Sequence, residues 1–527
     1  MIQLKRIFSA AFIVITLALL SGSLGSANVI VVNSEKSPNV NVLMGNGSPI
    51  LSTVGMGGFT VFKLAKNGTV KWSLSGDEFI PVNADLLRGP FYTPLGVDSV
   101  ASRSRDGGVL LGFVLVGKNG PFSPAMMKIA SNGSFEWAYV YELGQNMSPY
   151  INSIYAGKDG VLMSGYIEND TFHGTKFLPF LLLLRPNGTV IWARIYNPPI
   201  LRGITSGGAL EVNGSYIYIL QDGRNAVLLR LDRNGNVTGV NSVSGMKTVN
   251  SAASDGKYLY LLGTDENGTV LAKFDLAGSD PVWAKEYSID FNYTGAFCGP
   301  NETNITLVSL KVVSHDFKRL LQVGNGVEVF PMPFELKLPL EGVPCNASIF
   351  KQETALKPVT AIFKVDKNGD LISRKVLLLN STYSVESFDY SNGTFALGMV
   401  KDIELPSTLV EPKPLTLVGH FNDLFNLSVA KDADLNVTVR NVNVHLGDVH
   451  VGISYPHSTA LNISAMGVEP ANIVKKVPED VEIRVYRTET MHTEKSATAG
   501  KSTKEMCGPA FLMTLAILLA LLLFKRK

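Results

Sequence analysis

The chain alternates short apolar runs with tight polar turns over most of its 527 residues. One pattern recurs: an apolar run, an Asn-Gly or similar turn, and a second apolar run. Its copies are VFKLAKNGTVKW (61–72), MMKIASNGSFEWAYVY (126–141), LLLLRPNGTVIWARIY (181–196), LLRLDRNGNVTGV (228–240), LAKFDLAGSDPVWAKEY (271–287) and IFKVDKNGDLISRKV (362–376). Asn-Gly between apolar runs is a strong hairpin signal, and it predicts a type I′ turn with positive φ at both central residues.

A second tight turn precedes most copies, at Asp106-Gly107, Asp159-Gly160, Asn213-Gly214, Asp255-Gly256 and Asn392-Gly393. Each unit therefore holds about four strands over roughly 45–60 residues, which is the size of one β-propeller blade. The chain has four tryptophans, and each occupies the same position of a repeat: Trp72, Trp137, Trp192 and Trp283. The pattern predicts an all-β fold, a β-propeller over residues 28–430.

The repeat count predicts about seven blades, with six to eight possible. Six units are clear, and a weaker seventh runs from Ser384 through TFALG to LTLVGHFNDLFNLSV. The sixth unit is stretched by an insertion near 297–357, flanked by Cys298 and Cys345. The strand from Val29 to Val32 is expected to close the ring by joining the last blade.

The chain after the propeller divides into two parts. Valines alternate with polar residues over 431–486, which predicts a small antiparallel β unit or an extra blade. Residues 487–506 lack apolar periodicity and are predicted to form a polar stalk.

Both chain ends carry export signals. Lys5 and Arg6 precede an apolar run, and small residues follow it up to Ala27, so 1–27 is predicted to be a signal peptide cleaved after Ala27. An uncleaved signal anchor is the alternative. At the other end, 507–527 contains an apolar run closed by Lys-Arg-Lys, which predicts a single transmembrane helix with a cytoplasmic C-terminus.

The order of parts at the C-terminus is specific. A Thr/Ser/Lys-rich spacer leads into Cys507, Gly508 and Pro509, and the apolar helix and basic end follow. This segment resembles the CGP-type C-terminal sorting signal of surface proteins from Thermococcus-like archaea. The resemblance implies display on the outside of an archaeal cell membrane, and processing or lipid modification of Cys507.

The exported segment carries the marks of an extracellular protein. We find 18 Asn-x-Ser/Thr sites, which mark surface loops of secreted chains. Cys298 and Cys345 are expected to form a disulfide in an oxidising exterior, with two free thiols as the alternative. The glycosylation candidates that we single out are Asn67, Asn132, Asn187, Asn267, Asn304 and Asn462.

The repeats themselves show a second resemblance. Asp232-Arg233-Asn234-Gly235 and Asp366-Lys367-Asn368-Gly369 match parts of the blade pattern of quinoprotein-like and YVTN-type propellers of exported prokaryotic proteins. The resemblance implies the fold and not an activity, because one fold hosts many functions.

One metal site is a candidate. In NVHLGDVHVGISYPH, Gly447-Asp448 predicts a two-residue hairpin turn. This turn would place His445 opposite His450 with Cβ atoms about 5 Å apart, and His457 would approach as a third ligand. The alternative is solvated histidines, because no Asp, Glu or Cys ligand is fixed nearby. No other cofactor is predicted.

Composition and motifs limit the function. The net charge of +2 argues against a nucleic-acid partner, which requires a clustered basic surface. The sequence contains no nucleophile elbow, zinc-protease helix, Walker-type phosphate loop or Cys-x-x-Cys pair. We therefore expect a membrane-anchored extracellular module that binds a ligand, a polymer, a surface-layer component or a protein. The alternative is an extracellular hydrolase or quinone-type oxidoreductase with its site at the propeller mouth.

Overall fold

The computed structural model describes most of the chain between residues 28 and 487, and every described regular element is a β-strand. The predicted signal peptide and C-terminal helix lie outside this part, as do Cys298, Cys345 and Cys507. The predicted stalk also lies outside it except for Arg487, which ends β39. Within the described residues, no helix is long and apolar enough to span a membrane. The described residues are 28–34, 40–45, 48–55, 58–82, 92–94, 99–117, 122–143, 147–171, 174–197, 204–222, 225–265, 268–290, 294–297, 306–309, 311–314, 322–324, 327–337, 359–379, 383–401, 414–421, 427, 430–432, 436–448, 457–475 and 481–487.

The strands follow one another along the chain with short connections. The first nineteen are β1 (Asn28–Ser34), β2 (Val40–Gly45), β3 (Ser48–Gly55), β4 (Gly58–Leu64), β5 (Val70–Gly76), β6 (Phe79–Pro81), β7 (Tyr92–Pro94), β8 (Val100–Arg103), β9 (Val109–Gly117), β10 (Phe122–Ile129), β11 (Phe135–Glu142), β12 (Met147–Ala156), β13 (Val161–Thr171), β14 (Gly174–Leu184), β15 (Val190–Asn197), β16 (Ile204–Val212), β17 (Ser215–Asp222), β18 (Asn225–Leu231) and β19 (Val237–Ser244). The others are β20 (Thr248–Ser254), β21 (Leu259–Thr264), β22 (Thr269–Phe274), β23 (Pro281–Asp290), β24 (Thr294–Phe297), β25 (Thr306–Ser309), β26 (Lys311–Ser314), β27 (Gln322–Gly324), β28 (Val327–Lys337), β29 (Val359–Asp366), β30 (Leu371–Leu379), β31 (Tyr383–Ser391), β32 (Thr394–Lys401), β33 (Pro414–His420), β34 (Ala430–Asp432), β35 (Asn436–Asn441), β36 (His445–Asp448), β37 (His457–Ala460), β38 (Ser464–Pro470) and β39 (Val481–Arg487).

Most sheets are built from strands that are consecutive in the chain and antiparallel. We number them sheet 1 (β2–β5), sheet 2 (β8–β11), sheet 3 (β12–β15), sheet 4 (β16–β19), sheet 5 (β20–β23), sheet 6 (β26 and β28–β30) and sheet 7 (β31–β33 with β1). The fold is all-β and propeller-like, with a five-blade arrangement that is recognisable. These findings confirm the all-β, propeller-like fold predicted from the repeats, and the count of about seven blades stays a prediction.

The cores lie between successive sheets. Alternating side chains of each strand point to the two faces of its sheet, so both faces of an inner sheet are apolar. Ile217 of sheet 4 and Phe274 of sheet 5 are fully buried in one such layer. Leu181 of sheet 3 and Leu229 of sheet 4 are fully buried in the layer before it. A single sheet therefore cannot bury its faces without its neighbours.

The first strand of the described chain belongs to the last sheet, and the first and last sheets are in contact. β1 pairs antiparallel with β33, with Ile30 opposite Val418, which confirms the strand predicted at Val29–Val32. Sheet 1 also contacts sheet 7 directly, because the Met44 amide donates a hydrogen bond of 2.5 Å to the carboxylate of Asp389. The N-terminal strand thus completes the last sheet.

The recurring Asn-Gly turns differ from the predicted type I′ geometry. In the turn from Ala65 to Thr69, the Gly68 amide donates to the Ala65 carbonyl, and only Gly68 has positive φ. This is a three-residue loop: a type I turn followed by a glycine bulge, which shifts the strand register by one residue. The two-residue turns at Asn213-Gly214 and Asn392-Gly393 have positive φ at both residues, as type I′ requires.

The Cys-flanked segment contributes more than an insertion. β26 and β28 lie between Cys298 and Cys345 in the sequence, and β28 pairs with β29 over eight residues. The segment therefore supplies β26 and β28 to sheet 6, together with β27, which pairs with β28.

Residues 430–487, which we call the belt, do not form the separate antiparallel unit or the extra blade predicted over 431–486. Each belt strand pairs antiparallel with an outer strand of an earlier sheet. The pairs are β34 with β30, β35 with β23, β36 with β19, β37 with β15, β38 with β11, Val474 with Ser75 of β5, and β39 with β1. The belt thus passes sheets 6, 5, 4, 3, 2, 1 and 7 in that order.

Candidate functional site

Neighbouring sheets are held together by the tryptophans that recur at one position of the repeat. The indole Nε1 of Trp192 in sheet 3 donates a hydrogen bond of 2.8 Å to the Arg233 carbonyl, in the turn of sheet 4. A Cβ on Gly235 in that turn would lie 2.9 Å from the Trp192 ring, so only glycine fits. Trp72 and Trp283 make the equivalent hydrogen bonds to Ser131 and Lys367.

A tyrosine four residues after the tryptophan completes this contact. The buried hydroxyl of Tyr196 donates to the Gly235 carbonyl at 2.9 Å, and Tyr287 makes the same hydrogen bond to Gly369 at 2.6 Å. Tyr141 donates to the Gly188 carbonyl at 2.8 Å. The sequence analysis identified the tryptophans but missed the tyrosines, although the Trp-x-x-x-Tyr spacing was visible in three repeats.

Sheet 4 has Gly239 opposite Arg230, at the place where other sheets have the tryptophan. Arg230 takes over its role, because the guanidinium donates at 2.9 Å to the Leu276 carbonyl in the turn of sheet 5. The tryptophans are therefore structural clamps, and the candidate binding surface lies elsewhere.

The predicted histidine site is not assembled as expected. Gly447 and Asp448 lie in strand β36 opposite Ser242 and Asn241, so the predicted hairpin turn is wrong. The physical reason is that β19 offers a free edge with which this segment pairs. His445 lies on sheet 4, where its Nδ1 is 2.8 Å from the Asp280 carboxylate.

The other two histidines do not join His445. His457 lies on β37 beside sheet 3, and His450 lies outside the described residues. Among the residues described, no group of three His, Cys, Asp or Glu side chains is placed to hold a metal ion.

Three of the sequon asparagines occupy equivalent exposed turns. Asn67, Asn132 and Asn187 lie in the turns between the third and fourth strands of sheets 1, 2 and 3. The Asn67 side-chain oxygen accepts hydrogen bonds from the Thr69 amide and hydroxyl, so the Asn-Gly-Thr sequence also stabilises its turn. Asn462 is exposed between two belt strands, whereas Asn267 and Asn304 lie outside the described residues.

The buried charges of the described residues have partners. Lys128 of sheet 2 is ion-paired with Asp106 and, at 2.9 Å, with Glu136. These contacts lower the pKa of Asp106 to about 2, through the hydrogen bond from Lys128 first. Glu286 of sheet 5 accepts a hydrogen bond of 2.6 Å from Arg440 of the belt, and burial raises its pKa. These groups stabilise the packing of strands.

A row of aromatic side chains is the candidate binding surface. Tyr150 on β12 stacks on Tyr166 on β13 with ring centroids 4.6 Å apart, and Phe177 on β14 meets Tyr166 edge-on at 5.8 Å. The Tyr150 hydroxyl donates to the Glu168 carboxylate at 3.2 Å. Phe177 is 37% exposed, and the two tyrosines are half-buried.

The strand lengths of sheet 3 place this aromatic row at one end of the sheet. β13 and β14 have 11 residues each, and they pair from Val161–Leu184 to Thr171–Gly174. The equivalent pair in sheet 5, β21 and β22, has six residues in each strand. The hairpin of sheet 3 is therefore longer, and its extra residues carry Glu168 and Phe177.

The row can bind a ligand that offers an apolar face and hydroxyl groups. Aromatic rings bury large apolar area and stack against flat groups, and the Glu168 carboxylate accepts hydrogen bonds. Sequence analysis missed this row because its members are separated in the chain, and only the strand register brings them together.

Comparison with known proteins does not assign the chain to a family. No protein-family model matches the chain, and a comparison with curated proteins finds no similar sequence.

Proposed function

We propose that this protein is an exported, cell-surface-anchored β-propeller that binds a polymer through the aromatic row of sheet 3. The observation that supports this proposal is the stacked Tyr150–Tyr166 pair with the exposed ring of Phe177 and the Glu168 carboxylate. Pyranose rings present an apolar C–H face beside hydroxyl groups, so the ligand class that fits best is a saccharide chain.

The propeller is proposed to have seven blades in one closed ring. The order in which the belt pairs with the sheets supports it, because sheet 7 follows sheet 1 without a break. The pairing of β1 with β33 supports the closure of the same ring.

The localisation of the protein at the cell surface is proposed from features of both chain ends. Strand β1 starts at Asn28, directly after the proposed cleavage at Ala27, and Asn28 pairs with Arg487 at the start of the polar stalk. A cleaved signal peptide therefore leaves an N-terminus that is already part of a sheet. The helix in 507–527, with Cys507-Gly508-Pro509, anchors the protein to the cytoplasmic membrane, with the propeller outside.

The binding proposal is tested with polysaccharides. Purified protein is applied to gels that contain one neutral or acidic polysaccharide each, and its retardation is measured. Phe177→Ala and Tyr166→Ala should each lower the affinity obtained from the retardation about tenfold. The reason is that stacking on one ring contributes about 1–1.5 kcal/mol.

The matched control is Phe122→Ala in sheet 2, since Phe122 is 38% exposed but lies outside the row. Equal loss of binding in the control, or unchanged binding in both row variants, would contradict the proposal. Cleavage of the retained polysaccharide would instead favour the alternative of an extracellular hydrolase.

A further inference from the structure

Three cationic side chains lie near the adjacent ends of β2 and β3 in sheet 1, where Gly45 is opposite Ser48. Arg103 of sheet 2 donates a hydrogen bond of 3.0 Å to the Met44 carbonyl, and Lys71 donates one of 3.3 Å to the Ser48 hydroxyl. The Lys63 ammonium lies beside Gly45, 3.6 Å from the place where a Cβ would stand.

The nearest described carboxyl is that of Asp389, which interacts electrostatically with Arg103 but forms no ion pair with it. In the described part of the chain, no ion pair reaches Lys63, Lys71 or Arg103. Partial burial lowers the pKa of Lys63, and the charges of Lys71 and Arg103 lower it further. The carboxyl of Asp389 lies behind Met44, but it is buried and accepts from the Met44 and Tyr390 amides.

We propose that Lys63, Lys71 and Arg103 form a binding site for a tetrahedral dianion, a phosphate or sulfate group. A dianion offers four oxygens, and its two negative charges would offset most of the charge of three cations that repel one another. Arg103 and Lys71 are exposed, so the ligand reaches the site from solvent. The site goes beyond the proposed polymer function, because it involves other sheets and none of the aromatic residues.

The test uses titration calorimetry of the full chain with sodium sulfate and with inorganic phosphate, at constant ionic strength kept with chloride. Lys71→Gln should weaken binding about tenfold, since a hydrogen bond to a charged group contributes about 1.5 kcal/mol or more. Lys71 is exposed, so this variant keeps the fold. Lys63→Met and Arg103→Gln should act in the same direction, and an unchanged melting temperature shows that they remain folded.

Lys66→Gln is the matched control. Lys66 is an exposed lysine in the turn between β4 and β5, outside the group of three cations. Sulfated dextran and unsulfated dextran distinguish the source of the group. If sulfated dextran binds more tightly than the free ion and competes with it, the ligand is a pendant ester. If only the free ion binds, the ligand is an inorganic anion. Absence of binding by all probes, or equal weakening by Lys66→Gln, would overturn the proposal.

Discussion

Single residues hold neighbouring sheets together at the turns. The clamp consists of a tryptophan and a tyrosine on one sheet and a glycine in the turn of the next, as in Trp283, Tyr287 and Gly369. The glycine has two separate roles, because it adopts positive φ and leaves room for the indole ring. The two roles are separable by mutation.

Gly369→Ala should destabilise the protein more than Gly214→Ala. Both glycines have nearly the same φ, +77° and +76°, so alanine costs about 1–2 kcal/mol in either. A Cβ at residue 369 would also lie 2.8 Å from the Trp283 ring, whereas nothing lies within 4 Å of one at residue 214. The additional loss should be about 1–3 kcal/mol, measured by denaturant unfolding. Equal losses of unfolding free energy in the two variants would contradict a role for the indole contact.

Asp389 makes the junction of sheets 1 and 7 sensitive to pH. Burial raises its pKa to about 6 from an ordinary 3.8, so the folded state favours the protonated carboxyl. The stability from this group is fully present below about pH 4 and is lost as pH rises through 6. The loss amounts to about 3 kcal/mol, from about two pKa units.

Asp389→Asn should remove this part of the pH dependence, since the amide oxygen still accepts from Met44. The difference in unfolding free energy between the two proteins should therefore grow in favour of the variant between pH 4 and pH 7. A difference that is constant over this range would contradict the raised pKa.

At the scale of elements, the hairpins followed from the sequence and the belt did not. Hairpins are local: Asn-Gly turns and flanking apolar runs define each one, and only the turn type was wrong, since the glycine bulge adds one residue. Most belt strands pair with residues that are distant in the chain, such as Thr438 with Ser288, Val474 with Ser75 and Arg487 with Asn28. Their alternating valines predict a strand but not its partner.

The belt contact at Arg440 should contribute to stability in a pH-dependent way. Arg440→Met leaves the carboxylate of Glu286, whose side chain is only 1% exposed, without its cation. The pKa of Glu286, already raised by burial, should rise further. The variant should therefore melt at a lower temperature than the natural protein at pH 8, and the gap should close at acid pH.

Arg484→Met is the matched belt control, because Arg484 pairs with Glu482 and both side chains are about half exposed. Exposed pairs contribute little. Equal melting temperatures of the two variants at pH 8 would contradict this prediction, because the contact between Arg440 and Glu286 would then contribute no more than a surface ion pair.

At the scale of the whole molecule, the central feature is the belt, which pairs with sheets 6, 5, 4, 3, 2, 1 and 7 in turn and ends beside β1. Exposed sheet edges are sites of aggregation, and an added outer strand covers them. The arrangement also brings Asn28 and Arg487 together, so that the first and last described strands lie side by side in one sheet. The candidate aromatic row depends on the same long-range register and was not visible in the sequence.

Engineered disulfides test this claim most directly. Val31 is opposite Arg484, and Val32 is opposite Ile483. One of two consecutive antiparallel pairs is always the closer, non-hydrogen-bonded type, which suits a disulfide. In the Val31→Cys/Arg484→Cys and Val32→Cys/Ile483→Cys proteins, mild oxidation should form a disulfide in at least one case. After proteolysis, mass spectrometry detects it as a link between the peptide that contains β1 and the peptide that contains β39. The control pair Val31→Cys/Val474→Cys should stay unlinked. Failure of both test pairs in folded protein, or equal linking of the control, would contradict the pairing of the end of the belt with β1.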